Sequence, residues 1–336
     1  MTTTTSSSST YEYPEDYPDD GCSKADVIEF GAIATPIIFS LVTLLSLFGN
    51  LLVLLILIKY ENLKSMTNGF IFNLALSDLM FTLGLPFWAY YHHVDQWTLG
   101  EVTCKVVNFV FYAGFYSSVL FLTVMSLQRY RAVVYPLSDR GENRTRFAVA
   151  LSIVVWVLSF AAALPATLRS NVQVHFNTAH CQYDDLDFKK AGEYQQNIFF
   201  FIAFVIICFC YTRILQTVLK SPASKRIRTV KLIFVIVVVF LVGWAPYNIV
   251  IFLRSFSHLH PFDDCNVSIH LDYAFYICRL MAFSHCCLNP VFYAFVGVKF
   301  RKHLKAIIHK ISPPPQASLE SQRTRMVVMP SMGSMY

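Results

Sequence analysis

The sequence predicts an all-α membrane protein, a seven-transmembrane helix bundle with a short amphipathic helix after helix 7. Hydrophobic residues make up 55% of the 336 residues and charged residues only 14%, whereas a soluble domain carries about 25% charged residues. The apolar residues form seven stretches of 19 or more, each with at most one Asp, Glu, Lys or Arg. Each stretch can cross ~30 Å of hydrocarbon as a helix. This pattern excludes a soluble enzyme, a secreted disulfide scaffold and a nucleic-acid binder, and β-barrel strands would alternate over about 10 residues instead.

The seven helices are predicted, in chain order, over about residues 30–58, 65–94, 101–135, 145–168, 190–219, 225–256 and 267–298. Residues 1–29 show no periodic pattern, which predicts a disordered acidic tail. In residues 299–311, Phe300, Leu304 and Ile307 recur at helical spacing among cations, which predicts a helix on the membrane surface. Residues 312–336 are expected to be a disordered cytoplasmic tail with serines and threonines that can be phosphorylated.

Charge distinguishes the two sides of the membrane. The side with the N-terminus and the even-numbered loops holds 7 of the 27 Lys and Arg and 16 of the 21 Asp and Glu. The other side holds 20 basic and four acidic residues, so the positive-inside rule makes it cytoplasmic. We expect a multi-pass plasma-membrane protein with its N-terminus outside and its C-terminus inside. Topology does not require the net charge of −9 outside, which favours a basic extracellular ligand drawn in by electrostatic steering.

Tyrosines and acids are interleaved in the N-terminal tail. Tyr11, Tyr13 and Tyr17 lie among acidic residues, and Asp19 and Asp20 follow. A tyrosine flanked by acids is the usual context of tyrosine sulfation, which would add negative charge. A solvated spacer is the plainer interpretation, but disordered segments are usually poor in aromatic residues. We therefore expect these five residues to bind the ligand.

Four cysteines lie on the outer side: Cys22, Cys104, Cys181 and Cys265. An even number in an oxidising compartment indicates two disulfides. Four cysteines allow three pairings, and the residues alone do not choose among them. No His or Cys cluster has the spacing of a metal site. Asn266 opens an N-glycosylation signal on the same side.

One acid, Asp78, lies in the middle of the second span. An ionisable group at that depth is costly, usually faces the bundle interior and indicates function by default. Ser118 of the third span and His285 and Asn289 of the seventh can satisfy it. This set predicts a switch sensitive to sodium or protons, with no cofactor expected other than a sodium ion at Asp78. The alternative is a hydrogen-bond network that only packs the helices.

Among the prolines inside spans, Pro86, Pro165, Pro246 and Pro290 each remove a backbone hydrogen bond and can kink their helix. Kinks open a cavity or supply a hinge, so they suit a receptor or a transporter equally. Arg129 lies at the inner end of the third span and can be a snorkelling cation. Tyr130, Tyr211 and Tyr293 are also near inner helix ends, and the family resemblance described below makes a gated cytoplasmic cleft the better interpretation.

These features together resemble a class A, rhodopsin-like G-protein-coupled receptor over about residues 30–310. The matching pieces are, in order, Gly49-Asn50, Leu74-Ala75-Leu76-Ser77-Asp78, Cys104, Arg129-Tyr130, Trp156, Trp244-Ala245-Pro246 and Asn289-Pro290-Val291-Phe292-Tyr293. Any one piece is a weak signal, but their order and spacing together are highly specific. Within that class the chain is similar to the chemokine receptors. The runs from Ala282 to Pro290 and from Tyr293 to Arg301, the acidic tail and the four outer cysteines carry this resemblance.

The resemblance implies a structure and a ligand. It implies the disulfides Cys104–Cys181 and Cys22–Cys265. The acidic tail and the outer loops would hold the folded core of a chemokine, while its flexible N-terminus enters the helical cavity. The cavity residues would be Trp88, Tyr112, Glu193, Tyr247, Asp272, Tyr276 and Arg279. Trp88 has an alternative interpretation as part of an interfacial aromatic belt.

The resemblance also implies how such a receptor signals. Helix 6, with Trp244, would swing outward around Pro246 when the chemokine binds, and Arg129, Tyr211 and Tyr293 would rearrange. An inhibitory-class heterotrimeric G protein would bind the basic inner side, leading to calcium signalling and chemotaxis. Arrestin and receptor kinases would bind the C-terminal tail, and membrane lipid would contact the surface helix.

Two departures from the family pattern bear on function. The family usually has Asp-Arg-Tyr where this chain has Gln128-Arg129-Tyr130, so the acid that restrains the arginine is missing. Either basal activity rises or other contacts hold Arg129. Arg279 replaces the usual Glu of helix 7, which reverses the charge in the pocket. A basic chemokine N-terminus then needs other acids, such as Glu193 or Asp272.

Two other functions remain open at this point. An atypical, non-signalling scavenger receptor for chemokines would fit Gln128, although the intact Arg129, Tyr211 and Tyr293 oppose it. A small-solute transporter would fit the intramembrane Asp78 and Arg279 and the interrupted helices. No internal sequence repeat relates the two halves of the chain, and seven spans cannot form two equal halves. Both points oppose a transporter. An enzyme is disfavoured, because no nucleophile–base pair or metal set lies at one depth.

Overall fold

The computed structural model describes residues 22–135, 144–175, 178–220, 224–256, 259–262, 264–296 and 300–304. The elements in these residues are, in chain order, α1 Ala25–Tyr60, α2 Met66–Val94, α3 Gly100–Val134, α4 Arg144–Arg169, β1 Ser170–His175, β2 Thr178–Tyr183, α5 Leu186–Lys220, α6 Ser224–Arg254, α7 Cys265–Phe283 and α8 His285–Val296. Residues 300–304 form a further short helical segment, α9.

The described helices have the length and composition of membrane spans. Helices α1 to α5 and the Val237–Arg254 part of α6 are long and apolar enough to cross a membrane. The seventh span consists of α7 and α8, which follow one another with only Ser284 between them. Among the six candidate spans α3 is the most deeply buried, so it lies at the centre of the bundle. The predicted fold class, a seven-helix bundle followed by a short helix, is confirmed.

The first helix starts earlier than predicted. It begins at Ala25 rather than at residue 30, so the end of the predicted disordered tail is helical. This segment is anchored, because Cys22 is bonded to Cys265 and the Lys24 ammonium lies 2.8 Å from Asp272. Helix α5 likewise begins four residues earlier than predicted.

The seventh span is two helices, not the single helix that the sequence predicts, and the break lies at Ser284. Pro290 has no N–H, so the carbonyl of Cys286, one turn earlier, lacks its helical donor. Two side chains of α1 donate to this oxygen, Asn50 Nδ2 at 2.9 Å and Ser46 Oγ at 3.3 Å. An unpaired backbone group is costly in lipid. The contact with α1 therefore makes the proline tolerable at this depth.

The segment between α4 and α5 forms a β-hairpin, which the sequence analysis does not predict. Strands β1 and β2 pair antiparallel, from Ser170 opposite Tyr183 to His175 opposite Thr178. We call the end of the bundle that carries this hairpin and the start of α1 the N-terminal face, and the opposite end the C-terminal face.

Two disulfides tie this face together. Cys181 of β2 is bonded to Cys104 of α3, with their Cα atoms 5.7 Å apart, and Cys22 is bonded to Cys265 at a Cα separation of 5.6 Å. Trp97 is 1% exposed and packs against the Cys104–Cys181 bridge. Both pairings implied by the family resemblance are present.

Helix α9 packs back against the end of α1. The His303 ring stacks on Tyr60 with 5.1 Å between the ring centres, and His303 Nε2 lies 3.4 Å from Glu61 Oε1. The described part of the predicted surface helix is therefore held at the C-terminal face by side-chain contacts.

Small residues let neighbouring helices approach closely. A Cβ on Gly114 of α3 would lie 2.5 Å from the backbone nitrogen of Phe81 in α2, and one on Gly49 would lie 2.8 Å from the Pro290 ring. Neither position has room for a side chain. Because lipid is as apolar as the helix surfaces, close packing of this kind supplies much of the attraction between spans.

We expect Gly114→Ala to destabilise the bundle by about 1–3 kcal/mol, because the added methyl group would meet the backbone of α2. The measurement is the thermal midpoint of the purified protein in detergent. Gly69→Ala is the matched control, since its nearest neighbour lies at 3.7 Å, an ordinary contact. Equal midpoints for the two variants would contradict the close approach of α2 and α3.

Candidate functional site

One side of α7 carries ionic residues near the N-terminal face. Asp272 and Arg279 are two turns apart on the same side of the helix, about 10 Å along its axis. Asp272 Oδ2 lies 2.8 Å from Lys24 Nζ, and Oδ1 lies 3.2 Å from Arg254 Nη2 of α6. Asp272, predicted to receive a basic group of the ligand, is thus already paired with two cations of the chain itself.

Arg279 is surrounded by aromatic rings. Its guanidinium carbon lies 5.0 Å from the ring centre of Tyr276, 5.3 Å from that of Phe275 and 5.7 Å from that of Phe39. Nη2 donates to Thr35 Oγ1 at 3.0 Å. Its Nε is buried and has no hydrogen-bond partner among the described residues. The ring faces attract the cation but do not neutralise it.

Tyrosines and one acid belong to the opposite side of this face. Tyr183 Oη of β2 donates to Tyr112 Oη of α3 at 3.2 Å. Burial raises the pKa of Tyr183, and the hydrogen bond to Tyr112 opposes that shift. Glu193 of α5 is half-buried and makes no salt bridge within the described ranges. Of the two acids predicted for the pocket, Glu193 is the one that remains available to a ligand.

Trp88 is partly buried and packs against other aromatic rings. Its ring centre lies 5.8 Å from that of Trp97 and 5.9 Å from that of Tyr91. Trp88 also contacts the main core. It therefore joins the disulfide cluster at the N-terminal face to the bundle, and this position disfavours the interpretation as a lipid-facing belt residue.

A row of rings joins the pocket to the centre of the bundle. Tyr247 lies 5.8 Å, between ring centres, from both Trp244 and Phe283. Trp244 lies 5.2 Å from the His285 ring, and its buried Nε1 has no hydrogen-bond partner among the described residues. Pro246 lies inside α6 two residues after Trp244. A displacement of Tyr247 would therefore press directly on Trp244.

Asp78 is fully buried at the end of this row. Its Oδ2 accepts a hydrogen bond from Asn289 Nδ2 at 2.7 Å and its Oδ1 one from Ser118 Oγ at 3.3 Å. His285 Nδ1 lies 2.7 Å from the carbonyl of Ala282 and must donate to it. Nε2 of a neutral His285 then presents a lone pair, 3.8 Å from Asp78 Oδ1. Two hydrogen-bond acceptors, His285 Nε2 and Asp78 Oδ1, therefore face one another, and a proton or a cation near them would be favourable.

Thr67 of α2 is the shared partner of the Gln128–Arg129 pair at the C-terminal face. Arg129 Nη2 and Gln128 Nε2 both donate to Thr67 Oγ1, the latter at 3.3 Å. Tyr130 packs on Phe209 of α5, with 5.7 Å between ring centres. Arg129 is thus bonded to α2 although no acid precedes it in the sequence.

Tyr211 of α5 also lies near this face. Its ring packs against Phe234 of α6 at 5.2 Å, and its buried hydroxyl has no hydrogen-bond partner among the described residues. The side chain of Tyr293, predicted to act with Tyr211, lies outside the described residues.

Other predicted site residues lie outside the described ranges or at the surface. The tail residues outside these ranges are Tyr11, Tyr13, Tyr17, Asp19 and Asp20. Asn266 is exposed in the first turn of α7. The sequence analysis missed four residues that make polar contacts with predicted site residues: Lys24, Thr35, Thr67 and Arg254. Nothing in the local sequence distinguishes these residues. Each gains a role only because it lies opposite a charged group of another helix.

Three runs of the sequence resemble the XC class within the chemokine receptors: Tyr276-Ile277-Cys278-Arg279, Arg228-Thr229-Val230-Lys231-Leu232-Ile233-Phe234 and Trp244-Ala245-Pro246-Tyr247-Asn248. A family model described as 7 transmembrane receptor (rhodopsin family) matches residues 49–293. The chain is 43% identical to chemokine XC receptor 1 of Homo sapiens over 295 residues, 86% of this chain and 87% of that receptor.

Other relatives support the same family. The identity to chemokine XC receptor 1 of Mus musculus is 44% over 286 residues, 85% of this chain and 86% of that receptor. The identity to C-C chemokine receptor type 3 of Cavia porcellus is 37% over 306 residues, 89% of this chain and 84% of that receptor. Proteins of this family are receptors rather than enzymes. The chain therefore belongs to the chemokine receptors, within the rhodopsin family of seven-transmembrane receptors.

Proposed function

We propose that this receptor binds a basic, lymphotactin-like chemokine of the XC class and activates an inhibitory-class heterotrimeric G protein, leading to calcium signalling and chemotaxis. The row of contacts from Tyr247 through Trp244 and His285 to Asp78 carries the proposal. A receptor must couple its pocket to the centre of the bundle, and this row does so through touching side chains. The similarity to chemokine XC receptor 1 supports the class of chemokine.

The N-terminal face is proposed to be extracellular. The charge distribution supports this orientation, since 20 of the 27 Lys and Arg are on the opposite side. The disulfides support it as well, because Cys22–Cys265 and Cys104–Cys181 both lie at the N-terminal face. Disulfides persist in oxidising, extracellular surroundings.

The chemokine is proposed to be held at two places. Its folded core binds the acidic tail, where sulfation of Tyr11, Tyr13 and Tyr17 would add charge beside Asp19 and Asp20. Its flexible N-terminus enters the pocket between α7 and the tyrosines of α3 and β2. Glu193 is the pocket acid available to its ammonium group, because Asp272 is paired with Lys24 and Arg254.

Activation is proposed to move α6 outward around Pro246. A ligand only has to bind the active state better than the resting state to shift the population. Pressure on Tyr247 acts on Trp244, and at the C-terminal face Arg129 leaves Thr67 so that the G protein can bind. The contact with Thr67 favours a signalling receptor over a scavenger, because it supplies a restraint that can be released without the missing acid.

A sodium ion is proposed to bind at Asp78 in the resting state. Hard cations prefer oxygen ligands, and the Asp78 carboxylate and the Ser118 hydroxyl converge here. The buried Oδ1 of Asn50 has no partner among the described residues. When bound, the ion would supply a positive charge that offsets the carboxylate. Asn289 would orient that carboxylate through its hydrogen bond of 2.7 Å.

The C-terminal tail is proposed to bind receptor kinases and arrestin. Residues 312–336 contain several serines and threonines, whose phosphorylation would add negative charge. The basic residues from Lys299 to Lys310 are proposed to contact anionic lipid headgroups.

In cells that express the full chain, we expect human lymphotactin to activate an inhibitory G-protein reporter and to raise calcium. The controls are the same cells without the chain and a C-C chemokine at the same concentration. Binding without a signal would support the scavenger alternative, and Gln128→Asp would then be the variant to test. The absence of both binding and signal would overturn the XC assignment.

Replacing Thr67 by Val should raise ligand-independent activity. The side chain keeps its shape but loses the hydroxyl that accepts from Arg129. A hydrogen bond to a charged group contributes roughly 1.5–3 kcal/mol, so the resting state would lose about tenfold or more in population ratio. Basal G-protein activation per receptor at the cell surface measures this. Thr67→Ser keeps the hydroxyl and should resemble the wild type; equal basal activity of Thr67→Val and Thr67→Ser would refute the restraint.

Sodium should lower chemokine affinity in the wild type, because an ion that binds the resting state opposes a ligand that binds the active state. Asp78→Asn removes the negative charge and should abolish the effect. Competition binding in sodium chloride and in choline chloride of equal ionic strength measures it. Thr123→Ala serves as the control, because the Thr123 hydroxyl bonds to the Val119 carbonyl of its own helix. A sodium effect that persists in Asp78→Asn would place the ion elsewhere.

A further inference from the structure

The α1, α6 and α7 side of the pocket has more cations than acids. Lys24, Arg254 and Arg279 meet there, and Asp272 is the acid that pairs with the first two. Each Asp272 oxygen is assigned to one of them, Oδ2 to Lys24 and Oδ1 to Arg254. No described carboxylate remains for Arg279, which lies two turns deeper on α7.

Arg279 is held in place without being neutralised. One of the five N–H donors of its guanidinium goes to the neutral hydroxyl of Thr35. Nε is buried and makes no hydrogen bond within the described ranges. The rings of Phe39, Phe275 and Tyr276 fix the position of the group. A buried charge without a counter-charge is expensive, so a pocket that keeps one is suited to a ligand that supplies the counter-charge.

The opposite charge is on the other side of the pocket. Glu193 on α5 has no salt bridge among the described residues, and the row of rings from Phe275 to Tyr247 begins beside Arg279. The pocket thus offers a cation on α7 that no described acid pairs, and an acid on α5 that makes no described salt bridge although cations lie near it. A ligand segment that carries only positive charge satisfies one of these and leaves the other.

We propose that Arg279 is the subsite for a carboxylate on the flexible segment of the ligand, while the ammonium of that segment goes to Glu193. This inference rests on the proposed function, and it names the chemistry that the pocket selects. A carboxylate can accept two parallel hydrogen bonds from a guanidinium. An amide of the same shape offers one oxygen without charge, so Arg279 distinguishes the two.

A charge-reversal scan of the chemokine tests the selection. Human lymphotactin is prepared with Asp, Asn or Lys at each position of its flexible N-terminal segment in turn, and binding to the full receptor is measured. At one position the Asp form should bind about tenfold tighter than the Asn form. Arg279→Gln should remove this preference, and Arg279→Glu should reverse it in favour of Lys. Arg254→Gln is the control and should keep the preference, because Arg254 already pairs with Asp272.

A small probe separates this inference from the identity of the chemokine. The full receptor in lipid nanodiscs is heated with 3-phenylpropanoate or with the matched 3-phenylpropanamide, each at millimolar concentration. The carboxylate should raise the thermal midpoint more than the amide does, because it binds the folded state, and the difference should vanish in Arg279→Gln.

The two experiments fail in different ways. If lymphotactin does not bind but the carboxylate stabilises the wild type through Arg279, the proposed chemokine is wrong and the carboxylate subsite stands. If lymphotactin binds with no preference for Asp at any position, and the two small probes act equally on the wild type and on Arg279→Gln, the subsite is overturned and the proposed function stands.

Discussion

The bundle depends on one missing backbone donor in its seventh span. Pro290 leaves the Cys286 carbonyl without its helical partner, and a span in lipid must satisfy such a group from another helix. Asn50 and Ser46 of α1 do so. Asn289, the residue before Pro290, donates from Nδ2 to Asp78 at 2.7 Å. One residue without an N–H thus unites three helices around a buried carboxylate, and the aromatic row from the pocket ends at that carboxylate.

Sequence reasoning was sufficient for features that follow from solvation. Seven apolar stretches predict seven spans, and a lone acid such as Asp78 must find polar partners, of which Ser118 and Asn289 are now seen. It was insufficient where the outcome depends on which helices are neighbours. Nothing in the surroundings of Arg254 along the chain shows that it neutralises Asp272. The break at Ser284 was missed for the same reason, because the side chains that compensate Pro290 are on α1.

The polar groups of the receptor fall into two kinds. Asp272 and Asp78 have partners on other helices, and these contacts hold the bundle in one arrangement. Arg279 and Glu193 make no salt bridge among the described residues, and we propose that both belong to the pocket. Paired charges stabilise the structure, whereas a partly buried charge without a salt bridge can be paired by a ligand of the opposite charge, which favours binding. The departure from the usual helix 7 acid leaves these framework contacts intact, and we propose that it changes what the pocket selects.

The placement of the covalent cross-links has a mechanical consequence. Cys22–Cys265 joins the first span to the seventh, and Cys104–Cys181 fixes α3 to the hairpin, both at the N-terminal face. At the C-terminal face the described helices are joined by contacts such as Thr67–Arg129 and Tyr211–Phe234, which can separate. The cross-links therefore restrain the helices at the N-terminal face more than at the C-terminal face. In the proposed activation, a tilt of about 10° around Pro246 would move Ser224, 22 residues away at the other end of α6, by about 6 Å, so a small adjustment near the pocket would open a wide aperture at the C-terminal face.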